Sequence, residues 1–376
     1  MEIVINKDCF SKAVSDVCKA ISFKSSRTIL TGIKLVVKEK CLIIVGSNSD
    51  IFIEKIVPTV LDGESVLNII EKGSVVISAK YLSEIAKKLP GDIHIKVNHN
   101  QVVTIQSDGV VTSLNSFLSE EYPNLPNIGD ANFCIVPRQD LFEMIQQTAF
   151  AASTNDFHPV LAGVSMTFKE NHLSFTATNS HRLAFKKIRI NANINTNIIV
   201  PNKTLNELIK LIDEKIDNIH IFLTNTYIVF KANNVALFSR LIEGAYPSIN
   251  GLLPQECKTT IVVNRTQFLK GIDRACLFAS EWKNNNVQFE IKDDSKLIIS
   301  SMSTEIGKIQ ETQSIMELKG DIGFRITLNG NFLLDVLKVI KEEEIRLNFN
   351  GSMKPVFVEP IENKSNYYLI SPVRSN

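Results

Sequence analysis

One pattern occurs three times in this chain, as CFSKAVSDVCKAIS at 9–22, DLFEMIQQTAFAAS at 140–153 and QFLKGIDRACLFAS at 267–280. A second pattern follows each copy, as YLSEIAKKLP at 81–90, TLNELIKLID at 204–213 and FLLDVLKVIK at 332–341. The copies lie roughly 125 residues apart, which is longer than a solenoid repeat and matches a whole domain. The sequence therefore predicts three similar domains, and equivalent domains in series suggest an arc or a ring.

Both patterns predict amphipathic helices. In the first pattern, apolar or small residues recur on one helical stripe in all three copies, as in Ala13, Val14, Val17, Cys18 and Ile21. In the second pattern, an acidic residue precedes a lysine by three positions, which favours a pair on the helix surface: Glu84 with Lys87, Glu207 with Lys210 and Asp335 with Lys338.

The segments between the helices alternate apolar and polar residues and break at Gly, Asn, Asp or Ser, which indicates strands at 30–55, 161–187 and 286–310. Each domain is therefore predicted to be an α+β unit, with two helices packed on a mostly antiparallel sheet. Two segments carry Tyr-Pro, SEEYPNLP at 119–126 and IEGAYPSINGLLP at 242–254. Because proline disfavours helix at the preceding residue, we expect extended connectors there and domains at 1–126, 127–250 and 251–376.

Composition excludes several function classes. The six cysteines and six histidines are scattered without a CxxC, HExxH or other metal-ligand spacing, so we expect no metal and no cofactor. There is no apolar run of about 18 residues and no secretory signal pattern, so we expect a cytoplasmic protein without a membrane span. No GxSxG, P-loop or dinucleotide motif favours an enzyme, although catalytic triads also assemble from distant residues.

Several stretches are more specific: ILTGIKL at 29–35, SEIAKKLP at 83–90, ATNSHRLA at 177–184, FSRLIEGAYP at 238–247, LLDVLKV at 333–339, NGSMKPVFV at 350–358 and LISPVRSN at 369–376. With these stretches the whole chain resembles the bacterial sliding clamp family, the beta subunit of DNA polymerase III. The resemblance implies a DNA clamp fold and a head-to-tail homodimer that forms a ring of six domains. Helices would line a hole for duplex DNA, and the chain would have no catalytic activity.

The resemblance also implies partners and DNA-facing residues. The partners would be double-stranded DNA without sequence preference, the DNA polymerase III alpha subunit, the clamp loader and other replication and repair proteins with a clamp-binding motif. Phosphate contacts carry no sequence information, so exposed basic residues suit such a ring. The expected DNA-binding residues are Lys24, Arg27, Lys80, Lys87, Asn155, Lys203, Lys210 and Lys338.

The overall charge of the chain differs from that of the family it resembles. The near balance of 41 Lys and Arg against 40 Asp and Glu departs from the acidic character of the family. Stronger nonspecific DNA contact and a biased genome composition are both open explanations.

A peptide-binding cleft between domains two and three is the second implied site. Its expected residues are Leu161, Thr178, Ser180, His181, Arg182, Leu183, Pro247, Leu252, Pro355, Leu369, Ile370, Ser371, Pro372, Val373 and Arg374. The apolar walls are assigned to Leu161, Leu183, Leu252 and Ile370, and the polar rim to His181, Arg182 and Arg374. The family usually ends in Met-Pro-x-Arg-Leu, whereas Ser371 and Ser375 stand at the two apolar positions here.

Dimer contacts are expected from Ile85, Ser113 and Leu114 in domain one, facing Leu277 and Phe278 in domain three. The apolar pair at 277 and 278 corresponds to Lys19 and Ala20 in the first copy, which indicates a surface that a partner buries. The leading hypothesis is a processivity clamp. The alternative is a divergent clamp paralogue that acts as a monomeric or repair-specific peptide-binding module.

Overall fold

A computed structural model describes residues 1–376 apart from 99, 130, 156, 250, 252–256, 280–284, 294, 364 and 374–376. The described residues form six α-helices: α1 Lys7–Cys18, α2 Ala79–Lys88, α3 Arg138–Thr148, α4 Asn202–Leu211, α5 Arg265–Ala279 and α6 Gly330–Val339. Short 3-10 helices lie at Thr28–Thr31, Ser119–Glu121, Ala149–Ala151 and Pro159–Ala162. Each predicted helix pattern therefore forms a helix, in the predicted order.

Strands make up most of the remaining regular structure. Those of the first part are β1 Glu2–Ile5, β2 Gly32–Val37, β3 Cys41–Ser47, β4 Ile51–Pro58, β5 Val60–Leu61, β6 Glu64–Ser65, β7 Leu67–Glu71, β8 Gly73–Ser78, β9 Ile93–Val97, β10 Val102–Ser107 and β11 Val110–Phe117. The middle part has β12 Asn132–Pro137, β13 Gly163–Lys169, β14 His172–Thr178, β15 Arg182–Arg189, β16 Thr196–Pro201, β17 Asn218–Leu223, β18 Tyr227–Ala232 and β19 Val235–Arg240. The last part has β20 Thr259–Asn264, β21 Asn286–Asp293, β22 Lys296–Ser303, β23 Gly307–Ser314, β24 Glu317–Gly320, β25 Arg325–Asn329, β26 Glu344–Phe349, β27 Val356–Pro360 and β28 Asn366–Ile370.

The chain divides into two compact units, one of residues 1–138 and 203–241 and the other of 139–202 and 242–376. The first unit holds a sheet in the order β12-β17-β18-β19-β4-β3-β2-β8-β11-β10-β9-β1-β7 and the small β5-β6 pair. The second unit holds one sheet in the order β16-β13-β14-β15-β28-β27-β26-β20-β24 and another in the order β23-β22-β21-β25. The strand pairings among the described residues are antiparallel, as predicted.

The first helix of each repeat buries its predicted stripe. In α1, the side chain of Asn6 caps the helix by accepting a hydrogen bond from the amide of Cys9, and Ala13, Val14 and Val17 are buried. An Asn side chain at this position satisfies an amide that the helix leaves unpaired. Burying each valine contributes roughly 1.5–3 kcal/mol, so helix packing on the sheet outweighs helix propensity.

The two helices of the last repeat pack closely because one contact position is a glycine. A Cβ on Gly330, at the start of α6, would lie 2.4 Å from Cys276 Sγ of α5 and 2.8 Å from Val287. Burial raises the pKa of the Cys276 thiol, and that of Cys18 at the equivalent position, to about 11. Both thiols therefore stay neutral and act in packing, as small apolar residues do.

The Tyr-Pro segments fasten each connector to the repeat that precedes it. The hydroxyl of Tyr122 donates to the carbonyl of Gly32 at 3.3 Å, and that of Tyr246 donates to the carbonyl of Gly163 at 3.5 Å. Gly32 begins β2 and Gly163 begins β13, which are equivalent strands of the first two repeats. The repeat seen in the sequence thus extends to individual hydrogen bonds.

Candidate functional site

A row of side chains crosses four neighbouring strands of the second unit. Thr178 of β14 lies opposite Leu183 of β15, Leu183 lies opposite Leu369 of β28, and Leu369 lies opposite Phe357 of β27. Residues directly opposite each other in an antiparallel sheet project from the same face. Leu183 and Leu369 are 5% and 6% exposed, so both are buried and only a small apolar edge of each reaches the surface.

The turn between β14 and β15 is held by its own side chains. Asn179 Oδ1 accepts hydrogen bonds from the amides of His181 and Arg182, both at 3.0 Å. Thr178 Oγ1 donates to the carbonyl of Arg182 at 2.6 Å and accepts from the amide of Ser180 at 3.2 Å. Because Ser180 adopts a φ of 74°, the turn is tight. Ser180 and His181 are exposed at its tip.

Tyr246 positions the neighbouring Pro247 beside this turn. Its hydroxyl accepts a hydrogen bond from the amide of Thr178 at 3.0 Å, and burial raises its pKa to about 12. The hydroxyl is therefore protonated at neutral pH and holds the segment to the end of β14. Pro247 itself is exposed. The structure thus brings Thr178, His181, Leu183 and Pro247 together from segments that are far apart in sequence.

Two predicted cleft residues lie on the opposite face of the sheet from Leu183. Arg182 and Ile370 are directly opposite each other, and successive side chains of a strand alternate between faces. The guanidinium of Arg182 bonds Asp335 of α6 and the carbonyl of Phe150, and it stacks on Phe332. Ile370 is fully buried. Arg182 therefore braces α6 and Ile370 packs in the core, and the assignment of Arg182 to the rim and Ile370 to the wall stays a prediction.

The same contact corrects a helix prediction. Asp335 pairs with Arg182, not with Lys338, because the carboxylate faces β15 across the helix packing. The other two predicted pairs form, with Lys87 at 3.8 Å from Glu84 and Lys210 at 3.1 Å from Glu207.

The chain end continues the apolar face of the row. The amide of Ser371 donates to the carbonyl of His181 at 2.8 Å, and the amide of Val373 donates to the carbonyl of Thr327 at 2.9 Å. Pro372 forms a bridge with Leu328. By strand alternation, Ser371 projects from the same face as Leu369. Leu161 lies in the 3-10 helix Pro159–Ala162, and Pro355 is exposed before β27. Leu252 and Arg374 lie outside the described residues.

The predicted DNA-facing residues are exposed. In the first unit, Lys80 and Lys87 lie on α2 and Lys203 and Lys210 lie on α4, whereas Lys24 and Arg27 precede the 3-10 helix at 28–31. The buried residues of α2 are Ala79, Leu82 and Ala86, so the charged residues occupy the other face. In the second unit, Asn155 and Lys338 are exposed. Exposed ion pairs such as those of Lys87 and Lys210 contribute little to stability, so both lysines remain available to phosphates.

A charged cluster joins the second and third repeats inside the second unit. Glu143 of α3 binds Lys186 of β15 at 3.0 Å and Lys341, after α6, at 2.7 Å. Lys186 is only 6% exposed and Glu143 is 26% exposed. Burial by itself raises the pKa of the Glu143 carboxyl, but hydrogen bonds from Lys341 and Lys186 outweigh it and hold that pKa below 4.5. The carboxylate therefore stays charged at neutral pH.

The predicted dimer residues lie at the surface of each unit. In the first unit, Ser113 is exposed on β11, and Leu114 and Ile85 are half-buried. In the second unit, Leu277 is 67% exposed at the end of α5, and Phe278 is half-buried. A single exposed leucine at a helix end is common in soluble proteins, but Leu277 together with Phe278 forms an apolar patch.

Sequence reasoning missed Phe357, Tyr367 and Phe185, which extend the row along the same face. The rings of Phe185 and Tyr367 stack with centroids 4.6 Å apart, and the rings of Phe357 and Tyr367 are tilted with centroids 5.3 Å apart. In the stretch VFVEP at 356–360, side chains alternate between the two faces of the sheet, so Phe357 projects from the face opposite the buried valines.

Within the described ranges, no group of three His, Cys, Asp or Glu side chains is placed to hold a metal. No helix in that part of the chain is long and apolar enough to cross a membrane.

The chain matches three family models in order. These are the N-terminal domain of the DNA polymerase III beta subunit at residues 1–126, the central domain at 135–248 and the C-terminal domain at 250–374. It is 38% identical to the beta sliding clamp of Bacillus subtilis and 37% identical to that of Halalkalibacterium halodurans, over all of both chains in each case.

Solved structures give the same result. The crystal structure of the DNA polymerase sliding clamp from Bacillus subtilis superposes with a TM-score of 0.97 at 38% identity, and each chain is covered completely. The DNA polymerase III beta chain of Streptococcus pneumoniae superposes with a TM-score of 0.95 at 29% identity, again with full coverage. The order of helices, the repeated strands and these matches agree along the whole chain. The chain therefore belongs to the beta sliding clamp family, the beta subunit of bacterial DNA polymerase III.

Proposed function

We propose that this chain is a sliding clamp, a non-catalytic subunit that encircles duplex DNA as a homodimeric ring and tethers DNA polymerase III. The observation that carries the proposal is the repetition of one two-helix unit along the whole chain. The full-length relatives are named beta sliding clamps, which supports the same function. The clamp would act in the cytoplasm, and its three domains would span 1–126, 127–250 and 251–376.

The two junctions between repeats suggest how the ring closes. In the first unit, β4 of repeat one pairs with β19 of repeat two, with Lys55 opposite Val235. In the second unit, β15 of repeat two pairs with β28 of repeat three, with Lys186 opposite Asn366. The same strand position is thus used twice, and each pairing extends a sheet from one repeat into the next.

The third repeat also has a strand equivalent to β4 and β15, which could form one more junction. Its equivalent strand, β23, ends a four-stranded sheet, and β11 is the equivalent of β19 and β28 in the first repeat. We infer that β23 of one chain pairs with β11 of a second chain, in a head-to-tail contact. Leu277 and Phe278 would pack there against Ile85, Ser113 and Leu114. β23 is an edge strand, and β11 pairs with β8 only at Ser116 and Phe117, so their pairing would protect exposed strand edges from other chains. A heterologous contact of this kind forms a closed ring when its rotation closes.

The ring would hold DNA through phosphates alone. Lys24, Arg27, Lys80, Lys87, Asn155, Lys203, Lys210 and Lys338 are exposed polar or basic residues that suit weak contacts without base recognition. Weak contacts leave the ring free to move along the duplex, whereas topology prevents its release.

The cleft around Leu183 and Leu369 would capture short peptides of partner proteins. These partners would be the polymerase alpha subunit, the clamp loader and replication or repair proteins with a clamp-binding motif. The apolar edges of Leu161, Leu183 and Leu369 would receive Leu or Phe anchors, and His181 and Pro247 would border them. Buried apolar anchors dominate the affinity of small interfaces, so the polar Ser371 would weaken the cleft without removing it.

The proposal is tested by the topology of DNA binding. Clamp loaded on a nicked circular duplex should stay bound through gel filtration and should run off when the circle is cut once. Free protein should bind linear duplex weakly, and this binding should fall steeply with salt because counterions are released. Tight, salt-resistant binding to one DNA sequence would overturn the clamp assignment.

The monomeric, repair-specific module is not favoured, because the full-length relatives are clamps by name and by structure. Light scattering on a size-exclusion column tests it directly. A dimer at micromolar concentration is expected, and a monomer at every concentration would support the module instead.

A further inference from the structure

Three aromatic rings form a strip on the outer face of the second unit's nine-stranded sheet. Phe185 of β15 stacks on Tyr367 of β28 with an angle of 16° between the ring planes, and Tyr367 contacts Phe357 of β27. The rings are half-buried, although Val356, Val358 and Tyr368 on the opposite face of the sheet are fully buried. We call the three rings the aromatic strip.

The strip is continuous with the cleft. Leu183 and Phe185 are two positions apart on β15, and Leu369 and Tyr367 are two positions apart on β28, so all four project from one face. The spacing along a strand places each ring about 7 Å beyond its leucine. A peptide that is extended past the leucines in this direction would pass directly over the rings.

Beyond the strip, β15 becomes basic on this face, whereas on β27 Glu359 pairs with Arg346 at 3.2 Å. Lys187 and Arg189 follow Phe185 on β15 at alternate positions, lie opposite Ser174 and His172 of β14, and are exposed. They stand about 13 Å and 20 Å from Leu183 along the strand. The order along β15 is therefore apolar cleft, stacked rings and cations. Such an order favours a ligand whose apolar, aromatic and acidic groups are arranged in the same sequence.

We propose that the strip and these two cations form an extension of the cleft, which binds the flanking segment of a cleft-bound peptide. The inference rests on the proposed peptide-binding function of the cleft. An extended peptide advances about 3.3 Å per residue, so an aromatic side chain two residues from the anchor would stack on the strip. Acidic side chains four and six residues from the anchor would reach Lys187 and Arg189.

Calorimetric titration with designed peptides tests this extension. The probes are a five-residue Gln-x-x-Leu-Phe peptide, two longer versions with Phe, Glu and Glu placed two, four and six residues from the Leu-Phe anchor toward one end or the other, and versions with Lys in place of Glu. We expect one acidic extension to bind about threefold to tenfold more tightly than the short peptide, from ring stacking and exposed charge pairs. The gain should shrink in 1 M salt, which screens the exposed charges.

Variants of the strip and of the cations test which residues produce the higher affinity of the extended peptide. Tyr367→Ala and Lys187→Glu should each reduce the affinity ratio of the extended to the short peptide severalfold, and Lys187→Glu, which lies outside the row, should leave the affinity of the short peptide unchanged. Phe133→Ala, which removes a ring stacked on Phe222 at 5.9 Å in the first unit, is the matched aromatic control. Lys231→Glu, at an exposed position of β18, is the matched charge control. Both controls should retain the full gain.

The outcomes distinguish failure of the extension from failure of the cleft. If both acidic extensions bind no better than the short peptide, or if the Lys versions bind equally well, the extension is refuted and the cleft stands. If only an extended peptide binds and the two strip variants abolish that binding, the strip binds peptide without the cleft, which refutes both the cleft and its extension. If no peptide binds, both fall. Lys187→Glu changes an exposed side chain, so a folding defect in Tyr367→Ala leaves the test intact.

Discussion

Glu143→Gln should destabilise the second unit substantially because it removes the charge that compensates a buried ammonium. Breaking a fully buried ion pair costs about 3–5 kcal/mol. Glu143 is 26% exposed, so water screens part of the charge and we reduce the cost to about 2 kcal/mol. Lys341 is largely exposed, so its pair adds at most about 0.5 kcal/mol. The expected loss in the free energy of unfolding is about 2–3 kcal/mol.

The assay is urea unfolding at one fixed protein concentration, since ring assembly would otherwise contribute to the measured stability. Glu84→Gln is the matched control, because Glu84 makes two exposed pairs with Lys87 and Lys88. Its cost should be about 0.5 kcal/mol or less. Replacing Lys186 by Met in the Glu143→Gln background should restore stability, because the buried charge is then removed as well.

The effect also has a defined pH dependence. The folded-state pKa of Glu143 lies below its ordinary value of 4.5. A depressed carboxyl pKa contributes stability that is complete above the unfolded-state pKa and is lost as pH falls through the folded-state pKa. The gap between wild type and Glu143→Gln should therefore be full at pH 7, narrow below about pH 4.5 and close at lower pH. Equal stability of Glu143→Gln and Glu84→Gln, or a gap that is unchanged at pH 4, would refute the reasoning.

Three other predictions test separate parts of the molecule. Replacing Leu277 and Phe278 together by Ala should release monomer at micromolar concentration in light scattering, and a fully dimeric double variant would show that the interface is misplaced. Restoring Met at Ser371 and Leu at Ser375, which lies outside the described residues, should tighten Gln-x-x-Leu-Phe peptides by about 1–3 kcal/mol in calorimetry. If wild type and restored protein both fail to bind, the cleft is wrongly located. Gly330→Ala should cost about 1–3 kcal/mol in urea unfolding because its Cβ would overlap Cys276 Sγ. Gly109→Ala, where a Cβ meets no atom within 4 Å, should stay near wild type, and equal costs would contradict the packing argument.

The sequence by itself determined the repeat, the six helices and the antiparallel strands between them, because these depend on local periodicity. Helical periodicity places Ala13, Val14 and Val17 on one face, and this face must be buried whichever element packs against it. The extended connectors at the Tyr-Pro segments were also predictable, because proline disfavours helix at the residue that precedes it. The hydroxyl contact of Tyr122 with Gly32 was not, because it joins residues 90 positions apart.

Tertiary structure alone decided which side chains meet across strands and helices. Asp335 stands three residues from Lys338 on one helix, yet the packing of α6 against β15 turns it toward Arg182. Ile370 and Leu369 are equally apolar neighbours, and only the strand register places one in the core and the other beside Leu183. Helical and strand periods are short-range properties of the chain, whereas register and helix packing depend on which distant segments come together. For this reason the sequence predicted the elements of the clamp, and the structure was needed to assign the faces of its cleft.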